Sequence, residues 1–327
     1  MNPPNLTLQL SVYLGLIILS KSLLRLSRWI WNAFLRPEID LKRTYGPWAM
    51  VTGSTDGIGL ALAAELASRG LNLVLVARNP LKLRAASEEI RRRHPAVSIR
   101  TAAVDFDDCG PEEVARAVGE AAEGLDLGIL VNNVGRAYPY ARFAHEVDMD
   151  LTDGVVGVNV VGTTWVTKAV IGRMLARKGK GRKSVIVNVG SGSSGCVSSY
   201  PLYTIYAATK AYVSMLSRSL SVEYKHQGID VQCQIPLLVA TKMASIKKAS
   251  LFIPSPETYS KASLRWIGHQ EQVCVPYWPH ALQAFVMGLL PEALLDCCLL
   301  RYFLGMRARG LRKDSQGLGR VLGSNSI

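Results

Sequence analysis

The sequence predicts an α/β fold: a Rossmann-type, doubly wound parallel sheet with an N-terminal membrane anchor helix and a C-terminal apolar, membrane-contacting extension. Three observations predict it. Short apolar or β-branched runs alternate with helical stretches from residue 45 onward, a glycine-rich turn joins the first run to the first helix, and an uncharged segment precedes them. Regular alternation of strands and helices is typical of parallel sheets covered by helices on both faces.

The uncharged segment near the N-terminus predicts the anchor. Residues Leu6 to Ser20 carry no charge, and six Lys or Arg residues but only two acidic residues follow them up to residue 43. A helical span needs about 20 residues, so it must extend past Lys21, whose side chain can snorkel to the interface. Trp29 and Trp31 suit the interface, and the positive-inside rule assigns the rest of the chain to the cytosol. A signal peptide would carry its positive charge before the apolar run, which is not the pattern here.

The overall charge does not indicate a nucleic-acid partner. The chain of 327 residues has a net charge of +13, but its basic residues are dispersed between the juxtamembrane stretch, the run Arg177 to Lys183 and the C-terminal tail. Such charges gain energy beside an anionic cytoplasmic leaflet, and no nucleic-acid-binding motif accompanies them. We interpret Arg177 to Lys183 as a solvated loop.

Cysteine and histidine usage suggests neither disulfides nor a metal site. The six cysteines show no paired spacing and lie mostly in apolar contexts, which is typical of reduced thiols in the cytosol. The five histidines are scattered along the chain, so we predict no metal ligands.

Six segments are predicted strands, and the glycines Gly70, Gly124 and Gly228 are predicted to end helices. The strands are Trp48 to Thr52, Leu71 to Ala77, Val97 to Asp105, Leu127 to Val131, Ser184 to Val189 and Ile229 to Ile235.

The segment from Ala281 to Gly305 is apolar again but is interrupted by charged residues, so we expect it to lie on a membrane rather than span it. The predicted regions are 1–44 (anchor and basic linker), 45–275 (nucleotide-binding domain) and 276–327 (C-terminal extension).

A glycine-rich turn between the first strand and the helix Leu60 to Ser68 predicts a dinucleotide site. Glycines let the backbone approach a pyrophosphate closely, and the helix N-terminus stabilises its charge. The predicted cofactor-binding residues of this turn are Gly53, Ser54, Thr55, Asp56, Gly57, Ile58 and Gly59.

The residue after the second strand predicts which dinucleotide binds. Folds that select NAD have an acidic residue there for the ribose 2′-hydroxyl, whereas this chain has Arg78. A guanidinium suits the 2′-phosphate of NADP, so we predict NADPH/NADP as the cofactor.

The catalytic candidates lie after the fifth strand. Tyr206 and Lys210 are four residues apart in a helical stretch, which puts phenol and ammonium on one face. A neighbouring cation lowers the pKa of a phenol, as a general acid near neutral pH requires. Ser191 ends the fifth strand, where its hydroxyl can hydrogen-bond a substrate carbonyl. A serine nucleophile is a poorer interpretation because no G-x-S-x-G turn is present.

Together these motifs resemble the short-chain dehydrogenase/reductase family over roughly residues 45 to 245. The matching elements are Thr52-Gly53-x-x-x-Gly57-Ile58-Gly59, Asn132-Asn133-Val134-Gly135, Asn159, Ser191 and Tyr206-x-x-x-Lys210. The resemblance implies that Asp105 contacts adenine and that Asn132 to Gly135 stabilise the sheet and line the cofactor site. It also implies that Asn159 holds a proton-relay water, that Lys210 binds the nicotinamide ribose and that Thr241 contacts the cofactor.

A narrower resemblance is to plant very-long-chain 3-oxoacyl-CoA reductases. It rests on the anchor and on segments beginning at Tyr138, Pro201, Gly228, Val239 and Pro276. It implies NADPH-dependent reduction of 3-oxoacyl-CoA at the endoplasmic reticulum membrane, with the catalytic domain facing the cytosol. The implied partners are the acyl-CoA substrate, the membrane and the elongase condensing enzyme, dehydratase and enoyl reductase. Leu237, where many short-chain enzymes have glycine, fits this subfamily, but the C-terminus lacks a lysine-rich retention signal.

Two alternatives stay open at the level of sequence. Membrane-anchored relatives with the same four catalytic residues reduce 3- or 17-ketosteroids, and an apolar pocket does not distinguish the substrates. A non-catalytic scaffold subunit of an elongase complex would require decayed catalytic residues, and Ser191, Tyr206 and Lys210 are all present.

Overall fold

Within residues 6–269 and 271–324, which the computed structural model describes, seven parallel strands form one sheet in the order β3-β2-β1-β4-β5-β6-β7. The order reverses between β1 and β4, which is the switch point of a doubly wound fold. The strands are β1 (Trp48–Thr52), β2 (Asn72–Ala77), β3 (Ile99–Ala103), β4 (Leu127–Asn132), β5 (Ser184–Val189), β6 (Ile229–Gln234) and β7 (Val273–Cys274).

The α-helices follow in chain order, with π-helical turns at Trp31–Leu35 and Gly157–Gly162. They are α1 (Leu6–Ile30), α2 (Leu41–Tyr45), α3 (Gly57–Ser68), α4 (Pro80–Arg93), α5 (Pro111–Ala121), α6 (Met149–Val156), α7 (Thr163–Lys178), α8 (Gly192–Gly195), α9 (Thr204–Tyr224), α10 (Pro256–Trp266), α11 (Trp278–Leu289) and α12 (Glu292–Ser324).

The six predicted strands all form, and β1 and β5 have the predicted bounds. The third is shorter than predicted because Val97, Ser98, Val104 and Asp105 lie outside the ladder of β3. Gly70, Gly124 and Gly228 have φ values of 75°, 71° and 80°, which confirms the predicted helix ends. The sequence did not predict β7, because a strand of two residues shows no periodicity.

Both faces of the sheet are buried. In β1, Ala49 and Val51 pack in one apolar cluster with α3 residues, and Met50 packs in another with residues of α5 and α7. Successive side chains of a strand point to opposite faces, so a strand covered on both sides must be apolar throughout. This explains the uninterrupted apolar runs of the sequence.

The N-terminal helix is a separate unit that ends at Glu38. The stretch Thr7–Leu35 is 29 residues long and contains an 18-residue window with a mean hydropathy of 1.5, long and apolar enough to cross a bilayer. Met149–Lys178 meets the same criteria but is half buried, as expected for core helices. The N-terminal helix is therefore the candidate anchor.

The C-terminal extension has an inward and an outward side. Phe303 of α12 is 3% exposed and packs against Ala141 and Leu202. Phe285 and Leu289 of α11, in contrast, are 64% and 67% exposed. One side of the extension thus belongs to the packed core.

The run Arg177 to Lys183 was predicted to be a solvated loop, and this prediction is wrong for Arg177, whose side chain is buried. Its guanidinium donates to Asp126 Oδ1 (2.7 Å), Ser184 Oγ (2.8 Å), the Tyr45 carbonyl (2.5 Å) and the Lys183 carbonyl. A planar guanidinium can satisfy several fixed acceptors at once. Arg177 therefore ties α2 and β5 together.

Replacing Arg177 with methionine is expected to cost about 3 kcal/mol of unfolding free energy, because buried acceptors lose their donor. The matched control is Arg182→Met, which removes a 56% exposed partner of the same Asp126 and should cost below about 1 kcal/mol. Thermal unfolding of the detergent-solubilised protein measures both. Equal losses in the two variants would contradict the role given to Arg177.

His280 holds the loop after β6. Its ring is buried, and Nδ1 accepts a hydrogen bond from the Leu237 N–H at 3.2 Å. The ring proton of the neutral histidine is therefore on Nε2, which donates to the Leu238 carbonyl at 3.1 Å. Burial lowers the pKa of His280 to about 4, although its backbone hydrogen bonds act in the opposite direction. A neutral histidine is therefore part of the native structure.

This histidine predicts a pH dependence of stability. The folded-state pKa of about 4 lies below the ordinary 6.5, so the stabilisation is complete above pH 6.5 and declines as the pH falls toward 4. The loss should reach about 3 kcal/mol. Unfolding measured at several pH values should show this extra loss in the wild type relative to His280→Gln, with the exposed His226→Gln as control. Parallel pH profiles for wild type and His280→Gln would contradict it.

Candidate active site

The predicted site residues gather at the carboxyl ends of the strands. The glycine-rich turn follows β1, Asn132 ends β4, and Ser191 lies two residues beyond β5. Because all the strand pairs are parallel, these ends meet at one edge of the sheet. Ligands of doubly wound folds bind at this edge, beside the switch point.

The turn between β1 and α3 has the close backbone approach that a pyrophosphate requires. A Cβ on Gly59 would lie 2.2 Å from the Gly53 carbonyl oxygen, and Gly53 itself has φ of 64°. Asp56 caps α3 by accepting the Gly57 N–H at 2.8 Å. No larger residue fits at Gly59, so the turn forms a tight cradle at the start of a helix.

The remaining residues of the turn hold it in position. Ser54 is buried, with its hydroxyl 3.4 Å from the Val76 carbonyl, and Ile58 packs beside Val239. Thr55 is half-buried. Together they attach the turn to its neighbouring elements.

Asn133, directly after β4, holds the turn, and it belongs to the segment Asn132 to Gly135 that the family resemblance assigned to the sheet and the cofactor site. Its Nδ2 donates to the carbonyls of Thr52 (3.1 Å) and Gly53 (3.3 Å), and its N–H donates to Thr52 Oγ1 (3.0 Å). The signal was its place beside Asn132 in the Asn-Asn motif. This contact closes the gap between β1 and β4.

Arg78 and Asp105 lie beyond the carboxyl ends of β2 and β3, at the same edge of the sheet as the cradle. Arg78 follows β2 directly and is exposed, and Asp105 follows β3 and accepts the Asp107 N–H at 3.1 Å. Thr241 lies over the turn, with its methyl 3.3 Å from the position of a Cβ on Gly57. All three therefore flank the cradle.

Asn132 has a bracing role within the sheet. Its Nδ2 donates to Thr167 Oγ1 (2.9 Å) and to Asn188 Oδ1 (2.8 Å), which joins β4 to α7 and β5. The side chain is 3% exposed. Asn132 therefore supports the site by fixing the end of β4 relative to α7 and β5.

Ser191 and Tyr206 are the two hydroxyl-bearing candidates of the site. Ser191 Oγ accepts from the Ser193 N–H (3.2 Å) and hydroxyl (3.0 Å), which leaves its own proton for another acceptor. Burial raises the pKa of Tyr206, and the bond from Ser191 acts in the opposite direction. The phenol is therefore protonated at neutral pH.

Lys210 lies one helical turn after Tyr206 on α9, as the spacing predicted. Its ammonium is buried and donates to the Val189 carbonyl at 3.0 Å, and burial lowers its pKa to about 8. The expectation that Lys210 lowers the pKa of Tyr206 is not met here. Burial of the Tyr206 phenol has the larger effect on its pKa, and the Lys210 ammonium is directed toward β5.

Asn159 belongs to the π-helical turn Gly157–Gly162. Its Nδ2 donates to the Arg136 carbonyl and Thr209 Oγ1, both at 2.9 Å, and its Oδ1 accepts the Arg136 N–H at 2.8 Å. A Cβ on Gly135 would lie 3.4 Å from both Asn159 Oδ1 and Lys210 Nζ. Asn159 and Lys210 therefore line one small space, and π-helical turns are frequent at such functional sites.

The arrangement suits reduction or oxidation at a carbonyl. A ketone oxygen between Ser191 and Tyr206 would meet one hydroxyl that hydrogen-bonds it and one that transfers a proton. The cradle lies on the same edge, within reach of a dinucleotide that spans the switch point.

Comparison with known proteins identifies relatives. A family profile described as short chain dehydrogenase matches residues 47–250. The very-long-chain 3-oxoacyl-CoA reductase-like protein At1g24470 of Arabidopsis thaliana is 48% identical over 91% of this chain and 94% of its own. Very-long-chain 3-oxoacyl-CoA reductase-B of Danio rerio is 40% identical over 83% of this chain and 85% of its own.

Solved structures share the fold. The 3-ketoacyl-(acyl-carrier-protein) reductase from Brucella melitensis, complexed with NADH, superimposes with a TM-score of 0.62 and 26% identity, covering 70% of this chain and 96% of its own. A short-chain dehydrogenase from Sphingobium yanoikuyae, in complex with NADPH, gives a TM-score of 0.61 and 26% identity over 76% of this chain and 97% of its own. The profile match and the identities to full-length relatives lead to one conclusion: this chain is an oxidoreductase that belongs to the short-chain dehydrogenase family.

Proposed function

We propose that this chain reduces the 3-carbonyl of very-long-chain 3-oxoacyl-CoA with NADPH, giving 3-hydroxyacyl-CoA in fatty-acid elongation. The observation that carries the proposal is the convergence of Ser191, just beyond β5, with Tyr206 and Lys210, one turn apart on α9, at the edge of the sheet where the glycine-rich turn lies. The relatives that match over most of their length carry the name very-long-chain 3-oxoacyl-CoA reductase in a plant and a fish. The retained catalytic residues argue against a scaffold.

The residues around the cradle fit NADPH. The backbone approach at Gly59 suits the pyrophosphate, and the exposed guanidinium of Arg78 would bind the 2′-phosphate. Asn79 follows Arg78, so no carboxylate is present at the end of β2 to accept the ribose hydroxyl of NAD. Asp105 would contact the adenine.

When bound, NADPH supplies the hydride for the 3-carbon. Ser191 donates a hydrogen bond to the 3-oxygen, and Tyr206 transfers its proton to that oxygen as negative charge develops there. The Lys210 ammonium stabilises the resulting phenolate and would hold the nicotinamide ribose. Asn159 completes the relay that returns a proton from solvent to Tyr206.

The proposed setting is the endoplasmic reticulum membrane, with the catalytic domain in the cytosol. The apolar helix Thr7–Leu35 supports an anchor in region 1–44, and the basic residues after it support this orientation. In region 276–327, the exposed Phe285, Val286 and Leu289 of α11 support contact with lipid. The partners would be the condensing enzyme, dehydratase and enoyl reductase of elongation, around the reductase domain 45–275.

Phenylalanine at Tyr206 is expected to lower turnover of a long-chain 3-oxoacyl-CoA by about 100-fold or more, because it removes the proton donor. The matched control is Tyr212→Phe on the same helix, whose hydroxyl contacts only Thr164 among the described residues. NADPH consumption by the detergent-solubilised protein measures turnover, with a 17-ketosteroid as a parallel substrate. Near wild-type turnover by Tyr206→Phe would exclude the proposed mechanism, and turnover of the steroid alone would exclude the proposed substrate.

Alanine at Arg78 is expected to raise the KM for NADPH by about 10-fold or more, since a charge-assisted contact to a phosphate is lost. The KM for NADH should hardly change, because NADH has no 2′-phosphate. Lys82→Ala, which removes another exposed cation near the start of α4, is the control. An equal change for both cofactors would argue against Arg78 as the selecting residue.

A further inference from the structure

One face of α12 is directed at the loops beside Tyr206. We call it the inner stripe and define it as Asp296, Leu299, Phe303, Met306, Arg307 and Gly310. Spacings of three and four residues put these side chains on one side of a helix. Leu299, Phe303 and Met306 pack in a cluster with Tyr200 and Tyr203, which precede the catalytic helix α9.

Polar contacts fasten the two ends of the inner stripe. Asp296 Oδ1 accepts from the hydroxyls of Ser198 (2.8 Å) and Ser199 (2.6 Å), in the segment that leads from α8 to α9. Arg307 forms an ion pair with Glu146, in the loop after β4. Ser198 and Ser199 lie on one loop and Glu146 on another, so α12 contacts both loops.

Gly310 and Asp314 extend the attachment. A Cβ on Gly310 would lie 2.3 Å from the Tyr140 ring, so the absence of a side chain lets this ring pack against the helix. Asp314 hydrogen-bonds the Tyr140 hydroxyl and raises the pKa of that phenol. Tyr140 and Glu146 are thus both contacted by the middle of α12.

An aromatic series connects the inner stripe to the general acid. The Phe303 ring meets Tyr203 edge-on at 5.3 Å between centroids and Tyr200 at 4.6 Å. Tyr203 in turn meets Tyr206 at 6.5 Å and stacks on Tyr138 at 5.4 Å. Phe303, from the C-terminal helix, is therefore one ring away from the side chain that contacts the reacting carbonyl.

We propose that the inner stripe of α12 supports, from behind, the wall beside the reacting carbonyl, and that Phe303, packed against Tyr203, determines the width of the space beside that carbonyl. The inference rests on the proposed function. The wall admits a 3-oxoacyl chain with unbranched methylene groups next to the ketone. A methyl branch at C4 has to displace the Tyr203 and Phe303 rings, which are fixed by packing and by the contacts of Asp296 and Arg307.

The size of the effect follows from how pockets discriminate. A hydrophobic pocket separates substrates that differ by one methyl-sized group by about 10- to 200-fold. Removal of the Phe303 ring, 3% exposed in the folded chain, makes more than that volume free beside Tyr203. The preference for the unbranched substrate should then fall by about 10-fold or more.

The test compares kcat/KM for a linear 3-oxoacyl-CoA and its 4-methyl-branched isomer in wild type, Phe303→Ala and Leu304→Ala. Leu304 is the neighbouring residue on α12 and is 40% exposed, so it serves as the matched control. We expect the branched-to-linear ratio to rise about 10-fold or more in Phe303→Ala and to stay constant in Leu304→Ala. General loss of folded protein lowers both rates equally and leaves this ratio unchanged.

Each remaining outcome is decisive. An unchanged ratio in Phe303→Ala overturns the inference, and so does an equal rise in Leu304→Ala. If Phe303→Ala does not fold, Phe303→Leu and Met306→Ala undergo the same comparison under the same criterion. A wild-type protein that binds NADPH but reduces neither thioester refutes the proposed function itself, a result distinct from an unchanged ratio.

Discussion

The contacts of Asn133 with Thr52 and Gly53 join two strands that begin opposite halves of the sheet. The backbone ladder between β1 and β4 ends at the pair Val51 and Val131, beside the switch point of the doubly wound fold, so any connection beyond that pair depends on side chains. The Asn133 amide provides the connection by donating to both backbone carbonyls, 3.1 and 3.3 Å away. The glycine turn, the start of α3 and the floor of the site all take their positions from it.

A second series of polar groups positions the catalytic helix. Asn132 donates to Asn188 in β5, and Asn188 donates to Ser217 in α9 at 2.8 Å. Ser217 is fully buried, so water does not reach it and these side chains supply the hydrogen bonds instead. These two buried hydrogen bonds join β4, β5 and α9, the helix that carries Tyr206 and Lys210.

Sequence reasoning predicted what short-range patterns encode and missed what long-range packing decides. The glycine turn, the ends of helices at Gly70 and Gly228 and the four-residue spacing of Tyr206 and Lys210 are local features, so they were predictable. The burial of Arg177 was not, because its acceptors at Tyr45 and Asp126 are distant in sequence. The raised pKa of Tyr206 likewise depends on burial by distant elements, which spacing along one helix does not report. The sequence also did not show which face of α12 is buried, because the tyrosines that pack against its inner stripe lie about 100 residues earlier in the chain.

His280, which holds the loop after β6, lies close to the C-terminal end of the chain. During synthesis the loop at Leu237 emerges well before the histidine that fixes it. Phe303, which packs beside Tyr203, emerges later still. The sheet can assemble on the ribosome before either side chain exists, because β1 to β6 end at residue 234. The nascent chain therefore has its first six strands before it has the histidine that fixes the loop after β6.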